Sequence, residues 1–174
     1  RARSGRCVRT AYSGAVSPSP GRGTDPSSTH HRVVIVGAGF SGIAMAVKLR
    51  EAGIEDLVIL ERADDVGGTW RDNRYPGCAC DVPSRLYSLS FAQKPTWSRD
   101  YASAGEIWDY LRECVDRFSL RDHVHTGVDV TSAQWTGRQW HVRAADGRSW
   151  TAGALVLGVG GLHVPVWPDL PGLH

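Results

Sequence analysis

Four residues carry the most specific chemistry in the first third of the chain. Gly37-Ala38-Gly39-Phe40-Ser41-Gly42 is a G-x-G-x-x-G. In that spacing Gly37 permits a tight turn, Gly39 lets backbone approach a diphosphate, and Gly42 lets a helix pack close to the preceding strand. A diphosphate at the first turn of such a helix meets unpaired N–H groups and the positive end of the dipole, with Phe40 and Ser41 at the contact. The fourth residue is Glu61, nineteen residues after Gly42. Its carboxylate can accept hydrogen bonds from a ribose 2′-hydroxyl. An acid rather than an arginine there argues against a 2′-phosphate, hence for FAD or NAD over NADP.

The elements that must hold these residues are legible on either side. Val33-Val34-Ile35-Val36 is a short β-branched run of the kind buried on both faces of a parallel sheet. The segment Ser41 to Gly53 follows as a helix, with Ile43, Ala46 and Val47 on one face and Gly53 as its stop. Leu57-Val58-Ile59-Leu60 is a second buried strand ending on Glu61. Strand, helix, strand within thirty residues is a right-handed βαβ unit. Residues 62–102 read as a long functional loop. Ser103 opens another helix, with Glu106 completing a capping box and a stripe of Trp108, Leu111, Val115 and Phe118. From Val128 the period falls to two. Val128–Val130, Trp140–Val142 and the stretch around Trp150 predict an antiparallel β-meander, turned at Thr136-Gly137 and Asp146-Gly147. Ala154–Leu157 predicts a further buried parallel strand. The fold class is therefore α/β: a Rossmann-type parallel sheet with an inserted antiparallel meander.

The 174 residues are 41% hydrophobic and 22% charged, an ordinary soluble globular composition. No apolar run approaches the ~18 residues of a membrane span. Four cysteines (Cys7, Cys78, Cys80, Cys114) are too few and too irregular for a disulfide scaffold, which favours a reducing, cytoplasmic setting. The net charge of +2 is uneven. Residues 1–32 hold six arginines against one acid, Asp25, which makes them +5 and leaves −3 for the rest. A body of that sign has no electrostatic case for nucleic acid. Residues 1–31, rich in Arg, Ser, Gly and Pro, read as a disordered basic leader, with order beginning at Arg32. His30-His31 reads as a remnant of that leader.

A second motif narrows the chemistry. Gly67-Gly68-Thr69-Trp70 through Tyr75-Pro76-Gly77 to Asp81 satisfies [A/G]-G-x-W-x-x-x-x-[F/Y]-P-[G/M]-x-x-x-D, and Val82-Pro83-Ser84-Arg85-Leu86-Tyr87 continues it. The pattern resembles the type I Baeyer–Villiger monooxygenases, within the wider flavin-containing monooxygenase group. The resemblance implies two cofactors, FAD and NADPH, a small-molecule ketone or other oxidisable organic substrate, and dioxygen, with oxygen insertion through a peroxyflavin to give esters or lactones. It also implies residue roles. Ser41 would contact the diphosphate, Glu61 the ribose, and Thr69 and Trp70 the flavin side, with Arg62 and Gly68 also among the cofactor-binding residues. Asp81 and Tyr87 would stand near the isoalloxazine, Ala79 and Cys80 at the border of the nicotinamide site, and Val130 would offer backbone to the adenine. Asp81 is the candidate catalytic residue, orienting an arginine that lies beyond residue 174.

The resemblance covers Arg32 to His174, read as the front part of an FAD-binding domain. The remainder of that domain and the NADPH domain are expected to follow, so this stretch alone is expected to be inactive. Gly158-Val159-Gly160 stands where the family usually has Ala-Thr-Gly. Other readings are a non-catalytic remnant of such an enzyme, or another flavoprotein N- or S-monooxygenase or reductase. Cys78 and Cys80 with His123 and His125 lack familiar zinc spacing, so no metal site is expected. The tryptophans Trp108, Trp135 and Trp140 are expected to pack in the core or the meander.

Overall fold

The computed structural model describes residues 28–173. The expected leader therefore lies outside the described residues up to residue 27. Six strands form one sheet in the order β3-β2-β1-β6-β5-β4, from β1 (Thr29–Val36), β2 (Leu57–Leu60), β3 (Val124–His125), β4 (Val130–Trp135), β5 (Trp140–Ala144) and β6 (Ser149–Leu157). The first three and β6 run parallel, and β6-β5-β4 is antiparallel. The Rossmann-type sheet with its meander is thus present as a single mixed sheet.

Alternation along β1 and β2 builds two cores, one on each face. Val33, Ile35, Leu57 and Ile59 point at Ile43, Ala46 and Val47 of helix α1 (Phe40–Glu51) and at Leu111, Cys114 and Val115 of helix α3 (Ala104–Arg117). Val34, Val58 and Leu60 point the other way, onto Val142, Ala144, Trp150 and Ala152 of the meander. Val33–Ile35 and all of β2 are buried because helices cover one face and the meander the other. Gly53, at φ +78°, ends α1 as expected, and its N–H donates to Arg50 O at 2.9 Å. Ser103 caps α3 by accepting from Glu106 N at 3.3 Å. The reciprocal half of the capping box is missing, because the Glu106 carboxylate is taken by Ser98 N and Ser98 Oγ at 2.9 and 2.7 Å. The buried stripe of α3 is rotated from the one expected. It runs through Ile107, Tyr110, Leu111, Cys114 and Val115, with Trp108 and Phe118 at its margins.

Several expectations are corrected. Order begins before Arg32: Thr29, His30 and His31 belong to β1 and pair with Trp150, Thr151 and Ala152. His30 Nδ1 meets Thr151 Oγ1 at 2.9 Å and His31 Nδ1 meets Asp56 Oδ1 at 2.8 Å, so the histidine pair anchors the strand rather than trailing from it. The strands expected at Trp150 and at Ala154–Leu157 are one continuous strand, β6, in which Trp150, Thr151 and Ala152 pair with both β5 and β1. Past Ala152 it has β1 alone as a neighbour, and Leu157 is 66% exposed rather than buried. Val128 is buried in the core but precedes β4, and Trp135 is exposed, tilted against Trp140 with ring centroids 5.7 Å apart. The loop 62–102 also contains a four-residue helix, α2 (Thr69–Asp72), and a 3-10 turn at Ser84–Leu86.

Asp56 ties the start of β1 to the turn before β2, accepting from His31 Nδ1 and from Arg32 N at 2.9 Å. Burial would raise its carboxyl, but the hydrogen bonds from His31 and the Arg32 N–H hold it below the ordinary 3.8. A group depressed in the folded state contributes stability above its unfolded value and loses it as the pH falls through the folded one. Asp56→Asn is expected to cost less than about 1 kcal/mol near neutral pH, the carboxylate being half exposed. Urea unfolding from neutral pH downwards should show the difference between wild type and variant shrinking below the unfolded value. A difference that persists undiminished in acid would contradict this linkage.

A glycine-walled cavity at the carboxyl ends of the parallel strands

The sheet sets the place of the site. Gly37 follows β1 directly, its N–H donating to Leu60 O at 2.8 Å, so the turn leaves the sheet level with the end of β2. Glu61, the residue after β2, is held by backbone on both sides, with Glu61 N on His125 O at 2.9 Å and Val128 N on Glu61 O at 2.8 Å. Its buried carboxylate turns inward. Oε2 accepts from Ala38 N at 2.8 Å, and Oε1 accepts from Ala63 N at 3.0 Å and from Arg71 Nη1 at 3.1 Å. One carboxylate thus joins the glycine turn, the start of the following loop and α2.

The turn is shaped by the lack of side chains. A Cβ on Gly37, whose φ is +98°, would stand 2.6 Å from Gly158 O, and a Cβ on Gly42 would stand 1.9 Å from Gly37 O. Gly39 differs. Its φ of −87° suits any residue, and the nearest atom to an added Cβ is Gly68 Cα at 3.8 Å. Space at Gly39 therefore belongs to the cavity and not to the fold. The cavity measures about 320 Å³. Gly37, Gly39, Phe40 and Ser41 form one wall, Glu61 and Arg62 one end, Gly67 to Asp72 and Tyr87 the opposite wall, and Val128 to Val130 and Gly158 to His163 the remainder. The N–H groups of Phe40, Ser41 and Gly42 have no partner within α1, and no side chain caps it.

The loop opposite is fixed from behind. Trp108 Nε1 donates to Val66 O at 2.7 Å, and Arg112 lies 3.7 Å over the Trp108 ring while its Nε donates to Asp65 Oδ2 at 2.7 Å. Gly67, at φ +125°, fits because a Cβ there would meet Trp108 Cδ1 at 2.5 Å. Its N–H donates to Ala38 O at 2.9 Å, closing the loop onto the glycine turn. Trp70 Nε1 donates to Tyr87 Oη at 3.1 Å, and Tyr87 stands edge-on to both Trp70 and Phe40, at 5.3 and 5.1 Å between ring centroids. Burial pushes the Tyr87 phenol above its ordinary value, against the opposing effect of the Trp70 hydrogen bond.

Of the residues singled out by sequence, Gly37, Gly39, Phe40, Ser41, Glu61, Arg62, Gly68, Thr69, Trp70, Tyr87 and Val130 line this cavity. Gly42 lies under the turn. Asp81 is exposed and, with Ala79 and Cys80, does not line the cavity; Cys80 is buried, its N–H on Ala102 O at 2.8 Å, and Ala79 bridges to Ser103. Sequence reasoning missed Arg71, Asp129 and the wall from Gly158 to His163. Arg71 is 4% exposed. Burial would lower its guanidinium, but the hydrogen bond to Asp72 and the charge of Glu61 hold it above its ordinary value. Among the described residues no group of three or more His, Cys, Asp or Glu is placed to hold a metal ion, and no helix is long and apolar enough to cross a membrane.

A glycine turn at a helix N-terminus with an acid on the next strand defines a dinucleotide-binding α/β domain, and residues 35–113 match the NAD(P)-binding Rossmann-like domain family. The chain is 44% identical over 162 residues to a Baeyer–Villiger monooxygenase of Pseudomonas aeruginosa, covering 92% of this chain and 30% of that protein. It is 40% identical over 162 residues to the FAD-binding monooxygenase stcW of Emericella nidulans, covering 86% and 27%. The crystal structure of cyclohexanone monooxygenase from Rhodococcus sp. Phi1 bound to NADP+ superposes with a TM-score of 0.76 at 42% identity, covering 84% of this chain and 29% of that one. By sequence and by fold the chain matches the N-terminal part of the Baeyer–Villiger group of flavin monooxygenases. It spans under a third of the length of these relatives.

The two glycines of the turn should separate fold from site. Gly42→Ala is expected to destabilise the chain by at least about 2 kcal/mol, since its Cβ meets backbone that cannot step aside. Gly39→Ala should stay within about 0.5 kcal/mol of wild type. Thermal and urea unfolding measure both, and equal losses at the two positions would refute this division.

Proposed function

We propose that this chain is the FAD-binding front portion of an FAD- and NADPH-dependent monooxygenase of Baeyer–Villiger type, which inserts one oxygen atom of dioxygen into small-molecule ketones to give esters or lactones. The observation that carries the reading is the cavity at the first turn of α1, walled by Gly37, Gly39 and Gly68 without side chains. The uncapped N–H groups of that turn stand on one side and the buried Glu61 carboxylate at one end. When bound, FAD supplies the redox chemistry and the activation of dioxygen, with NADPH as the source of electrons.

The chain's own residues bind and orient. The first-turn N–H groups and Ser41 hold the diphosphate, where the helix dipole adds to the hydrogen bonds. Glu61 accepts from a ribose hydroxyl, Val130 offers backbone at the adenine end, and Thr69 and Trp70 face the flavin side. The bond between Trp70 and Tyr87 keeps two large rings in fixed orientation and shields that side from water. Asp81, on the exposed loop, acts as a positioning residue for a partner group outside the chain, and Ala79 and Cys80 border the nicotinamide. The free thiols of Cys78, Cys80 and Cys114 support a reducing, cytoplasmic setting.

Titration of the chain with FAD, followed by flavin fluorescence, is expected to show binding that Gly39→Ala weakens by at least about tenfold while the fold is kept. Tighter binding of NADP than of FAD would overturn the reading. In a chimera, residues 28–174 replace the matching segment of the Pseudomonas aeruginosa relative. Ketone-dependent NADPH oxidation with ester formation is expected there, and formation of N- or S-oxides in place of esters would redirect the assignment within the group. Asp81→Ala in that chimera should keep its flavin and melting temperature yet lose roughly 100- to 1,000-fold in ester formation. Loss of flavin and stability together would mark Asp81 as a turn residue only.

A further inference from the structure

We infer that Arg71 is a specificity-determining residue of the ribose end: a built cation on the cavity wall, kept from accepting a 2′-phosphate by its pairing with Glu61. The inference rests on the dinucleotide reading and goes beyond it, because the sequence places at this point an acid and no arginine.

The geometry has three parts. Arg71 and Glu61 are both buried, with side chains 5% and 8% exposed, and meet at 3.1 Å on the cavity wall. The guanidinium does not depend on Glu61 for its position. Its Nε donates to Asp72 Oδ1 at 2.8 Å and its Nη1 also donates to Asp65 O, while Nη2 makes no hydrogen bond within the described residues. Removing the Glu61 charge therefore leaves a preorganised guanidinium in place. The Glu61 carboxylate, for its part, already accepts from Ala38 N, Ala63 N and Arg71. Of its roughly four lone-pair positions about one is left for a ligand hydroxyl, so it can take one ribose hydroxyl and meets any phosphate with charge against charge. Arginine is the usual partner of a phosphate because its planar fork matches two oxygens at once. Glu61 thus sets the preference for a 2′-hydroxyl twice, by accepting it and by occupying the arginine that would select against it.

The test uses two probes that differ at the ribose, ADP and adenosine 2′,5′-bisphosphate, titrated calorimetrically into the whole chain. Wild type is expected to favour ADP. Glu61→Gln, which keeps the volume and removes the charge while turning one acceptor oxygen into a donor, should shift the ratio of the two affinities towards the 2′-phosphate by at least about tenfold. The shift should survive Glu61→Gln with Arg62→Ala and disappear in Glu61→Gln with Arg71→Met, each checked for fold by circular dichroism. Arg62 and Arg71 are the two arginines on this wall among the described residues. If the Arg71 double variant does not fold, the Arg62 pair still decides which cation acts. An unchanged ratio in Glu61→Gln, or loss of the shift on removing exposed Arg62, would overturn the inference while leaving the dinucleotide site intact. Failure of wild type to bind ADP at all would overturn both.

Discussion

The carboxylate of Glu61 sits where three stretches of chain converge, and the cavity exists because that convergence is satisfied. Its oxygens take the Ala38 N–H of the glycine turn, the Ala63 N–H of the next loop and the Arg71 guanidinium of α2. The two backbone N–H groups have no other partner among the described residues, and leaving a buried donor unpaired costs about 1–3 kcal/mol. A buried charge is tolerated only when paired and hydrogen-bonded, and here both conditions are met by the groups that frame the site. Replacing the acid without replacing its role would free the turn and the loop together, and leave Arg71 to Asp65 and Asp72 alone.

Close backbone approach complements this electrostatic knot. Gly37, Gly42 and Gly158 bring the end of β1, the start of α1 and the end of β6 within van der Waals contact, and Gly158 N donates to Val36 O at 2.8 Å. Opposite them, the Trp108–Arg112–Asp65 group presses the Gly67-Gly68 loop inward from α3. The site is therefore framed on one side by absent side chains and on the other by some of the largest. Each half needs the other to define a slot of fixed width.

Much of this could be read from residue types. The strands at Val33–Val36 and Leu57–Leu60, the helix stop at Gly53, the cap at Ser103 and the phosphate-type turn all follow local rules, and the structure holds them. Eleven of the residues marked by sequence line one cavity. What escaped depends on long-range pairing. Nothing local to His30 or His31 shows that they extend β1, because their partners Thr151 and Asp56 lie 121 and 25 residues away. The break imagined between Trp150 and Ala154 followed a change of apolar period, yet β6 keeps one backbone path while its neighbours change from two to one. Arg71 occupies a variable position of the motif, so only its folded contacts reveal that it faces Glu61. Trp135 carries a strand-forming side chain on an edge strand that is exposed on both faces from Thr131 onwards.

The pairing of β1 with β6 joins residues about 120 positions apart, as the contact of His30 with Thr151 shows. Loop closure on that scale is entropically expensive and late, and parallel pairing cannot begin from a hairpin. During synthesis from the N-terminus, the strand, turn and helix of the nucleotide motif leave the ribosome long before Gly158, the residue that closes the turn from below. The motif that is most local in sequence is thus completed by the most distant contact in the domain, and its ability to recognise a ligand is timed by the arrival of β6 rather than by its own translation.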